Sequence, residues 1–452
     1  MRPTLVLLIL PSTLFADSWK NYNDAGSKAR EQKQYQEAER RYKAALAEAE
    51  KAGPDDVKVA TSLNGLALTY ADQNNYVAAE PLMRRSLSIF EQKKPNSREL
   101  ARAYSNLGWL YQQQHKYQDS EPMHQRALKL RKDLLGSDHF EVALTLEDLA
   151  FLYQAEGRLA EAEEAFDRSL EIWERNVGTK SKGVTLNLAN LANRPEIAQS
   201  LNNVGVFYYF VGRYKEAEPL LKRCLEIQEQ LFGPHDERFG YTARTLARVV
   251  QGLEDYKEAD RLLQQAVEIY NKRLGPQDSM TAVVTYNLGS LYVEMQRFGE
   301  AEQLLKRAQL VLEHSRESDL QLASSLYALG NFYLEQRNYE AAEPMLRKSL
   351  EIQERDPDDP KSPYRIVNLG IVTASLARWY AERGRVEEAE PLFKKALTIF
   401  ETAGLGQHPS LAVCLKHYAA MLKNNGRESE AASLESRVQA IRARLGLTVA
   451  GG

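Results

Sequence analysis

A pattern of about 41 or 42 residues repeats along almost the whole chain. A small residue recurs with gaps of 41, 41, 42, 55, 42, 42, 41, 47 and 42 residues, at Ala38, Ala79, Ser120, Ala162, Ala217, Ala259, Ala301, Ala342, Ala389 and Ala431. A second small residue stands twelve positions before each of them, as Gly108 stands before Ser120. This period predicts a stack of similar units, each of which buries its apolar face against its neighbours.

The spacing inside one repeat predicts two helices. Leu107, Gly108 and Tyr111 fall on one face of a first helix, and Ser120 and Ala127 fall on one face of a second. Small residues at the helix crossing let the two backbones come close, and we expect the aromatic residue to fill the space beside them. Each repeat is therefore expected to be an antiparallel helical hairpin, and no segment of the sequence predicts a strand.

The pattern resembles that of the tetratricopeptide repeat family over about residues 19–445. The long period, the Leu-Asn-Asn-Val-Gly run that ends at Gly205, the Ala-Glu-Pro triplets such as the one at Pro81, and the Leu-Gly linkers resemble the kinesin light chain variety. The resemblance implies an all-α fold, a right-handed α-α superhelix (solenoid) of about ten helical-hairpin repeats. It also implies a concave wall of the kind that commonly holds extended peptides or helices.

The repeats, two interruptions and the chain ends define the expected organisation. Polar Ser429 and Glu435 in the last repeat indicate a terminal cap, because no further repeat covers that helix. We expect a signal peptide at 1–16, repeats one to four at 17–178, an insertion at 179–195, repeats five to eight at 196–355, a proline-rich loop insertion at 356–367, repeats nine and ten with the cap at 368–446, and a flexible tail at 447–452.

The N-terminus has the three parts of a secretory signal. Arg2 precedes the apolar run Leu5–Leu10, and Ala16 offers a cleavage site before polar residues. The alternatives are an apolar arm that docks on the first repeat and an uncleaved anchor, although this segment is too short to span a bilayer as a helix. The expected location is exported, periplasmic or secreted, if the signal acts, and cytoplasmic otherwise.

The balance of charge argues against nucleic acid and anionic membranes as partners, and the spacing of the two cysteines argues against a disulfide bond. The chain has 59 basic and 62 acidic residues and a net charge of −3, which leaves no electrostatic footprint for nucleic acid or an anionic membrane. Cys224 and Cys414 lie five repeats apart, too far for a disulfide bond, so we expect both to be buried. The sequence leaves the oligomeric state open.

The sequence shows no constellation for catalysis, a cofactor or a metal. It contains no His-Glu-x-x-His pair, no Cys-x-x-Cys pair and no phosphate loop. His139, His235 and His408 fall in equivalent linkers, so repetition accounts for them better than ligation does. His124 replaces an apolar residue of a second helix and is expected to be a core histidine with its hydrogen bonds satisfied. The chain is therefore expected to be non-enzymatic.

The first helices also carry polar and aromatic residues opposite their packing faces. Asn offers a donor and an acceptor to a peptide backbone, Arg pairs with carboxylates, and Tyr adds rigid contact area. Arg244 and Arg248, one helical turn apart, are expected to hold acidic groups. The alternative is that these residues are solvated or bond their neighbours. The candidate peptide-binding residues are Asn64, Asn106, Asn202, Asn203, Tyr209, Arg244, Arg248, Tyr286, Asn287 and Asn331.

The expected function is a non-enzymatic scaffold that binds a protein or peptide segment in the concave groove. One alternative is a kinesin light chain-like cargo adaptor, but this would leave the apolar N-terminus unexplained, and the chain lacks the long heptad segment that joins a light chain to its heavy chain. A second alternative is a regulatory subunit of an enzyme complex whose catalytic chain is separate. The family's clamp for a C-terminal carboxylate requires a set of Lys and Asn residues in three consecutive repeats, which the sequence lacks.

Overall fold

A computed structural model describes residues 17–176, 195–315, 319–355 and 363–447 of the chain. These ranges form twenty helices and no strand. In chain order α1 to α20 are Asp17–Glu31, Tyr35–Glu50, Val57–Ala71, Tyr76–Lys93, Arg98–Gln113, Tyr117–Leu135, Phe140–Ala155, Leu159–Asn176, Pro195–Phe210, Tyr214–Phe232, Glu237–Gly252, Tyr256–Arg273, Ser279–Glu294, Phe298–His314, Asp319–Glu335, Tyr339–Arg355, Pro363–Glu382, Val386–Thr402, Pro409–Asn424 and Glu428–Leu445.

The helices form ten consecutive hairpins, each with its own corner between an odd-numbered helix and the next helix. The expected fold class, an all-α hairpin repeat, is confirmed. The chain divides into two compact units, unit 1 (Met1–Leu152) and unit 2 (Tyr153–Gly452). Within each unit, successive hairpins pack against one another, so the apolar face of one hairpin is buried by the next.

The small residues of the first helices make room for side chains from the second helices. A Cβ atom at Gly205 would lie 2.7 Å from Leu221, and one at Gly289 would lie 2.8 Å from Leu305. The close approach predicted from the sequence is therefore confirmed. The prediction that the neighbouring aromatic residue fills this space is wrong in these hairpins, because an aliphatic side chain of the second helix occupies it.

Each hairpin corner has the same backbone conformation. One corner residue has a positive φ, and the next N–H donates to the carbonyl five residues earlier, as Arg297 donates to Tyr292 at 2.8 Å. This is the Schellman ending of a helix, in which a left-handed residue closes the last turn. The ten positive-φ residues are Lys33, Asn74, His115, Gly157, Gly212, Glu254, Gln296, Arg337, Gly384 and Gly426.

The linkers between hairpins combine a glycine with a helix cap. Gly136, Gly233 and Gly275 have φ values of 88°, 83° and 90°, a backbone conformation that residues with a side chain avoid. The next helix is then capped by a side chain. His139 accepts a hydrogen bond from the N–H of Glu141, which gives this linker histidine a structural role.

Several expected segments lie outside the described residues. They are residues 1–16, residues 179–194 of the first insertion, residues 356–362 of the loop insertion and residues 448–452 of the tail. The second insertion differs from its expected bounds, because α17 begins at Pro363 and residues 363–367 are helical. Proline is tolerated in the first turn of a helix, where its missing N–H has no intrahelical partner. The last helix, α20, buries only Ala431, Ile441 and Leu445.

Candidate functional site

We call the side chains of the first helices that lie opposite the packing faces the inner row. In unit 1, the two candidate residues of the inner row bond to each other. The side chain of Asn106 donates to the side-chain oxygen of Asn64 at 2.9 Å, across two successive first helices. Leu68, Trp109 and Phe151 occupy the position after the small residue in three successive first helices, and Phe151 is exposed. The inner row of unit 1 is therefore mainly apolar, with one amide pair beside it.

In unit 2, the two asparagines of α9 are engaged inside the protein. Asn202 is buried, and its side-chain oxygen accepts a hydrogen bond from the hydroxyl of Thr242 at 3.2 Å. Asn203 is half-buried and accepts from the side-chain amide of Gln199 at 2.8 Å. Both side chains therefore bond to neighbouring side chains, and their role in binding stays a prediction.

Two candidates on α13 are buried and a third on α15 is accessible. Tyr286 is 5% exposed and Asn287 is 6% exposed. The side-chain nitrogen of Asn287 has no hydrogen-bond partner among the described residues. Asn331 on α15 is half-buried. Of these three side chains, Asn331 is the one with substantial exposure, and their role in binding stays a prediction.

Arg244 on α11 carries a charge that the protein does not neutralise locally. Its guanidinium lies 5.1 Å from the ring centre of Tyr241, and the side chain is half-buried. Its Nε atom is buried without a hydrogen-bond partner, and no ion pair involves Arg244 among the described residues. A half-buried guanidinium of this kind favours binding of a carboxylate. The carboxylate would accept hydrogen bonds that the guanidinium can no longer donate to water.

Arg248, one turn further along α11, lies against an aromatic side chain. Its guanidinium is 5.2 Å from the ring centre of Tyr209, and Tyr209 stacks on Tyr214 with ring centres 5.7 Å apart. A guanidinium over a tyrosine face gains a favourable electrostatic contact. The structure therefore brings together Tyr209, Arg244 and Arg248 of the predicted set.

The sequence analysis missed Glu294, which ends α13 beside this arginine. Its carboxylate accepts a hydrogen bond from the Gln251 side chain at 2.8 Å and has no ion pair among the described residues. Desolvation by the surrounding protein raises the pKa of Glu294 to about 7, although Arg248 acts in the opposite direction. The site therefore contains an exposed carboxyl group, beside Arg248, whose pKa is raised from its ordinary value.

The equivalent carboxylate of the next repeat is paired with an arginine. Glu335 occupies the position of Glu294 one repeat later, and it accepts a hydrogen bond from Arg378 at 2.6 Å. Arg378 also donates to Glu382 at 2.6 Å. Asn331 stands where an arginine like Arg378 would face Glu294. Alignment of the repeats shows asparagine at this position in place of the pairing arginine. This difference could have identified Glu294 from the sequence.

The prediction for His124 is wrong in one respect. The residue is fully buried, but neither ring nitrogen has a hydrogen-bond partner among the described residues. Its Nδ1 lies 3.9 Å from a carboxylate oxygen of Asp148, and its Nε2 would be 2.8 Å from a Cβ at Gly108. Desolvation lowers the pKa of His124 to about 4, so the ring is neutral at ordinary pH. It serves as a packing residue.

Other chemical candidates are structural within the described part of the chain. Cys224 and Cys414 are buried free thiols, as predicted, and Cys224 donates to the carbonyl of Ala198 at 3.1 Å. The described residues hold no group of three His, Cys, Asp or Glu side chains that would bind a metal ion. None of the described helices combines the length and apolar character needed to cross a membrane.

The fold and the inner row define an α-helical repeat protein. The tetratricopeptide repeat family profile matches residues 21–92, 79–133, 99–175, 141–193, 196–272, 240–313, 280–355 and 367–444. Because these matches cover most of the sequence, the chain belongs to the tetratricopeptide repeat family. No curated protein matches the chain significantly.

Two solved structures share this architecture, and a third is similar to about half of the chain. A Rap protein complexed with Competence and Sporulation Factor is 14% identical, with a TM-score of 0.55, over 87% of this chain and 99% of that one. The apo quorum sensor NprR from B. thuringiensis is 15% identical, with a TM-score of 0.56, over 84% of this chain and 98% of that one. Kinesin light chain TPR-like repeats from Podosopora anserina are 22% identical, with a TM-score of 0.41, over 49% of this chain and 99% of that one. For the Rap protein and NprR, the similarity at these identities concerns the fold alone.

Proposed function

We propose that the chain is a non-enzymatic scaffold that holds a peptide segment against the inner row of unit 2. Arg244 carries the proposal, because it is a half-buried cation with no ion pair among the described residues. A ligand carboxylate would supply the missing partner. Arg248 and Tyr209 lie next to it on the same surface, so the segment is expected to place acidic and apolar groups side by side.

The nature of the ligand is supported by the family and by one solved relative. Tetratricopeptide repeats are protein-binding modules, and the similar Rap protein was solved with Competence and Sporulation Factor bound. An extended segment can follow the inner row from one first helix to the next, since equivalent positions recur in each hairpin. We therefore propose an acidic peptide segment as the ligand class.

The test uses the full chain and a displayed library of random peptides. We expect enrichment of sequences that contain Asp or Glu. The enriched peptides should lose about tenfold or more in affinity for Arg244→Gln, because a hydrogen bond to a charged group contributes about 1.5–3 kcal/mol. Arg307→Gln is the matched control, since Arg307 is an exposed arginine of α14 with no ion pair among the described residues.

Two results would contradict the proposal. Peptides that bind wild type and Arg244→Gln equally would place the binding surface elsewhere. Enrichment without any preference for acidic residues would remove the proposed role of the arginine. Circular dichroism of both variants should match wild type, since neither arginine has an ion pair to lose.

A further inference from the structure

Hairpin five and hairpin ten touch, although a simple stack needs contacts only between neighbours. Gly212, in the corner after α9, packs on the linker before α19, and a Cβ there would lie 2.4 Å from Pro409 and 3.1 Å from the Cα of His408. The ring of Tyr214 meets the ring of His408 edge-on at 6.4 Å. We call these four residues, Gly212, Tyr214, His408 and Pro409, the clasp.

The clasp is well packed on both sides. Tyr214 and His408 are both buried. Tyr214 also fits over Gly252 at the end of α11, where a Cβ would come within 2.2 Å of its ring. His408 in turn stacks on Phe400, with ring centres 5.9 Å apart. A contact that buries two aromatic side chains and a glycine corner is a specific interface.

A second contact closes the same side of unit 2. Arg442 on α20 donates to Glu254, the corner residue after α11, at 3.0 Å. This pair joins hairpins six and ten across 188 residues of sequence. Because both side chains are partly exposed, the pair contributes little stability alone but helps to define the orientation of the two hairpins.

These contacts join hairpins five and six to hairpin ten. The first helices of the hairpins in this row carry the candidate groove. Arg244 and Arg248 of hairpin six, and Asn331 of hairpin eight, lie between the clasped hairpins in sequence. The clasp also contacts the groove, since Tyr209 of the groove faces Arg248 and stacks on Tyr214 of the clasp. A row whose two ends are joined would leave less room for a ligand to approach its inner face from the side.

We infer that the clasp is a gate that controls access of a polypeptide to the inner face of unit 2. Its closed state is the one described here, and its opening separates hairpin ten from hairpin five. The inference rests on the proposed function for the identity of what enters, but the gate itself is a property of the chain. A peptide ligand then enters only when the clasp opens.

The test measures access without any ligand. Asn331→Cys places a thiol on the inner row, and the native Cys224 and Cys414 are buried. The full chain carrying this change reacts with a large polyethylene glycol maleimide and, separately, with small N-ethylmaleimide. We expect the closed clasp to slow the large reagent much more than the small one.

Two matched pairs of variants open the clasp or leave it closed. Gly212→Leu places a side chain against Pro409, whereas Gly384→Leu makes the same change at the equivalent corner of hairpin nine, where nothing lies within 4 Å. The two corners have φ values of 79° and 72°, so the backbone strain is matched. Glu254→Lys repels Arg442, and Glu340→Lys is its exposed control. Lysine is compatible with this corner, because Lys33 occupies it in hairpin one.

We expect Gly212→Leu and Glu254→Lys to raise the rate of the large reagent several-fold, with the small reagent and both controls unchanged. Equal rates for the large reagent in the opened variants and their controls would overturn the gate. If Gly212→Leu does not fold, Glu254→Lys decides the question. A failed Arg244→Gln test would refute the proposed function and leave this measurement unaffected, so the two failures are distinguishable.

Discussion

The imidazole of His408 stacks on the ring of Phe400, with ring centres 5.9 Å apart and an angle of 19° between the planes. The same imidazole accepts a hydrogen bond through Nδ1 from the N–H of Ser410 at 3.1 Å, and so caps α19. Both contacts suit the neutral ring. Burial lowers the pKa of His408 to about 3, and the charge of Arg248 acts in the same direction.

This arrangement predicts a loss of stability in acid. The pKa of His408 is lower in the folded chain than in the unfolded chain, where it is about 6.5, so the unfolded state binds the proton first. Above pH 6.5, neutral His408 makes its full contribution to the free energy of unfolding. This contribution decreases as the pH falls toward 3, and about 2 kcal/mol is lost by pH 5. The melting temperature measured between pH 7 and pH 5 checks this.

His408→Asn is the matched variant for that measurement. Asparagine keeps an acceptor at the cap but does not titrate. The variant is expected to be less stable at pH 7, because the ring stacking is lost, but its melting temperature should depend less on pH than that of wild type. The same pH dependence in both proteins would show that His408 is not the titrating group.

The helix crossing at Gly289 predicts a strong effect of a single methyl group. A Cβ at this position would lie 2.8 Å from Leu305, so Gly289→Ala forces the two helices of hairpin seven apart. We expect a destabilisation of about 1–3 kcal/mol. Gly299→Ala is the control, because nothing lies within 4 Å of a Cβ there. Urea unfolding of both variants measures the difference, and an equally stable Gly289→Ala would contradict the close crossing.

The hairpin corners predict a stabilising substitution. Gln296 has a φ of 58°, which is unfavourable for a residue with a side chain. Gln296→Gly should therefore stabilise the chain by about 0.5–1 kcal/mol. Gln303→Gly, at an exposed position inside α14, should instead destabilise it by about 1 kcal/mol. Thermal unfolding of the two variants checks the opposite signs, and a loss of stability in both would contradict the prediction.

The hairpins could be predicted from the sequence because their causes are local. A small residue such as Gly205 and its partner Leu221 lie within one hairpin, and the helical periodicity alone places them on facing surfaces. The linker glycines are likewise recognisable from the sequence, because each one follows the end of a helix within its own repeat. These features depend on about forty neighbouring residues, and they recur with every period.

The clasp could not be predicted in this way. The meeting of Gly212 with Pro409 depends on small rotations that accumulate over several hairpins. Helical periodicity also gives the direction of a side chain but not the distance to the next hairpin. For this reason Tyr286 and Asn287 were expected on an open groove, whereas the structure places them between helices.

The N-terminal segment leads to a proposal about location. Arg2, the apolar run Leu5–Leu10 and Ala16 have the order of a secretory signal, and we propose that the chain is exported after cleavage at Ala16. N-terminal sequencing of the protein from its natural source should then begin at Asp17. Retention of Met1 or Arg2 would contradict export and favour a cytoplasmic location.

Removal of one repeat separates local stability from the clasp. Deletion of Ser279–Asp319, one period containing α13 and α14, should leave a mainly helical protein, because each hairpin needs only its neighbours. The deletion moves hairpin ten by one step relative to hairpin five, so the clasp should not form. The thiol of Asn331→Cys should then react several-fold faster with the large maleimide than it does in the full-length chain.

Deletion of Asp56–Asn96, one period of unit 1 containing α3 and α4, is the matched control. It removes the same kind of unit but leaves hairpins five to ten unchanged. Circular dichroism should show similar helicity per residue in both deletions, and the control should keep the slow reaction of wild type. Global unfolding of both proteins would contradict the nearest-neighbour stack. Equal reaction rates in two folded deletions would show that the clasp does not depend on the number of hairpins between Gly212 and Pro409.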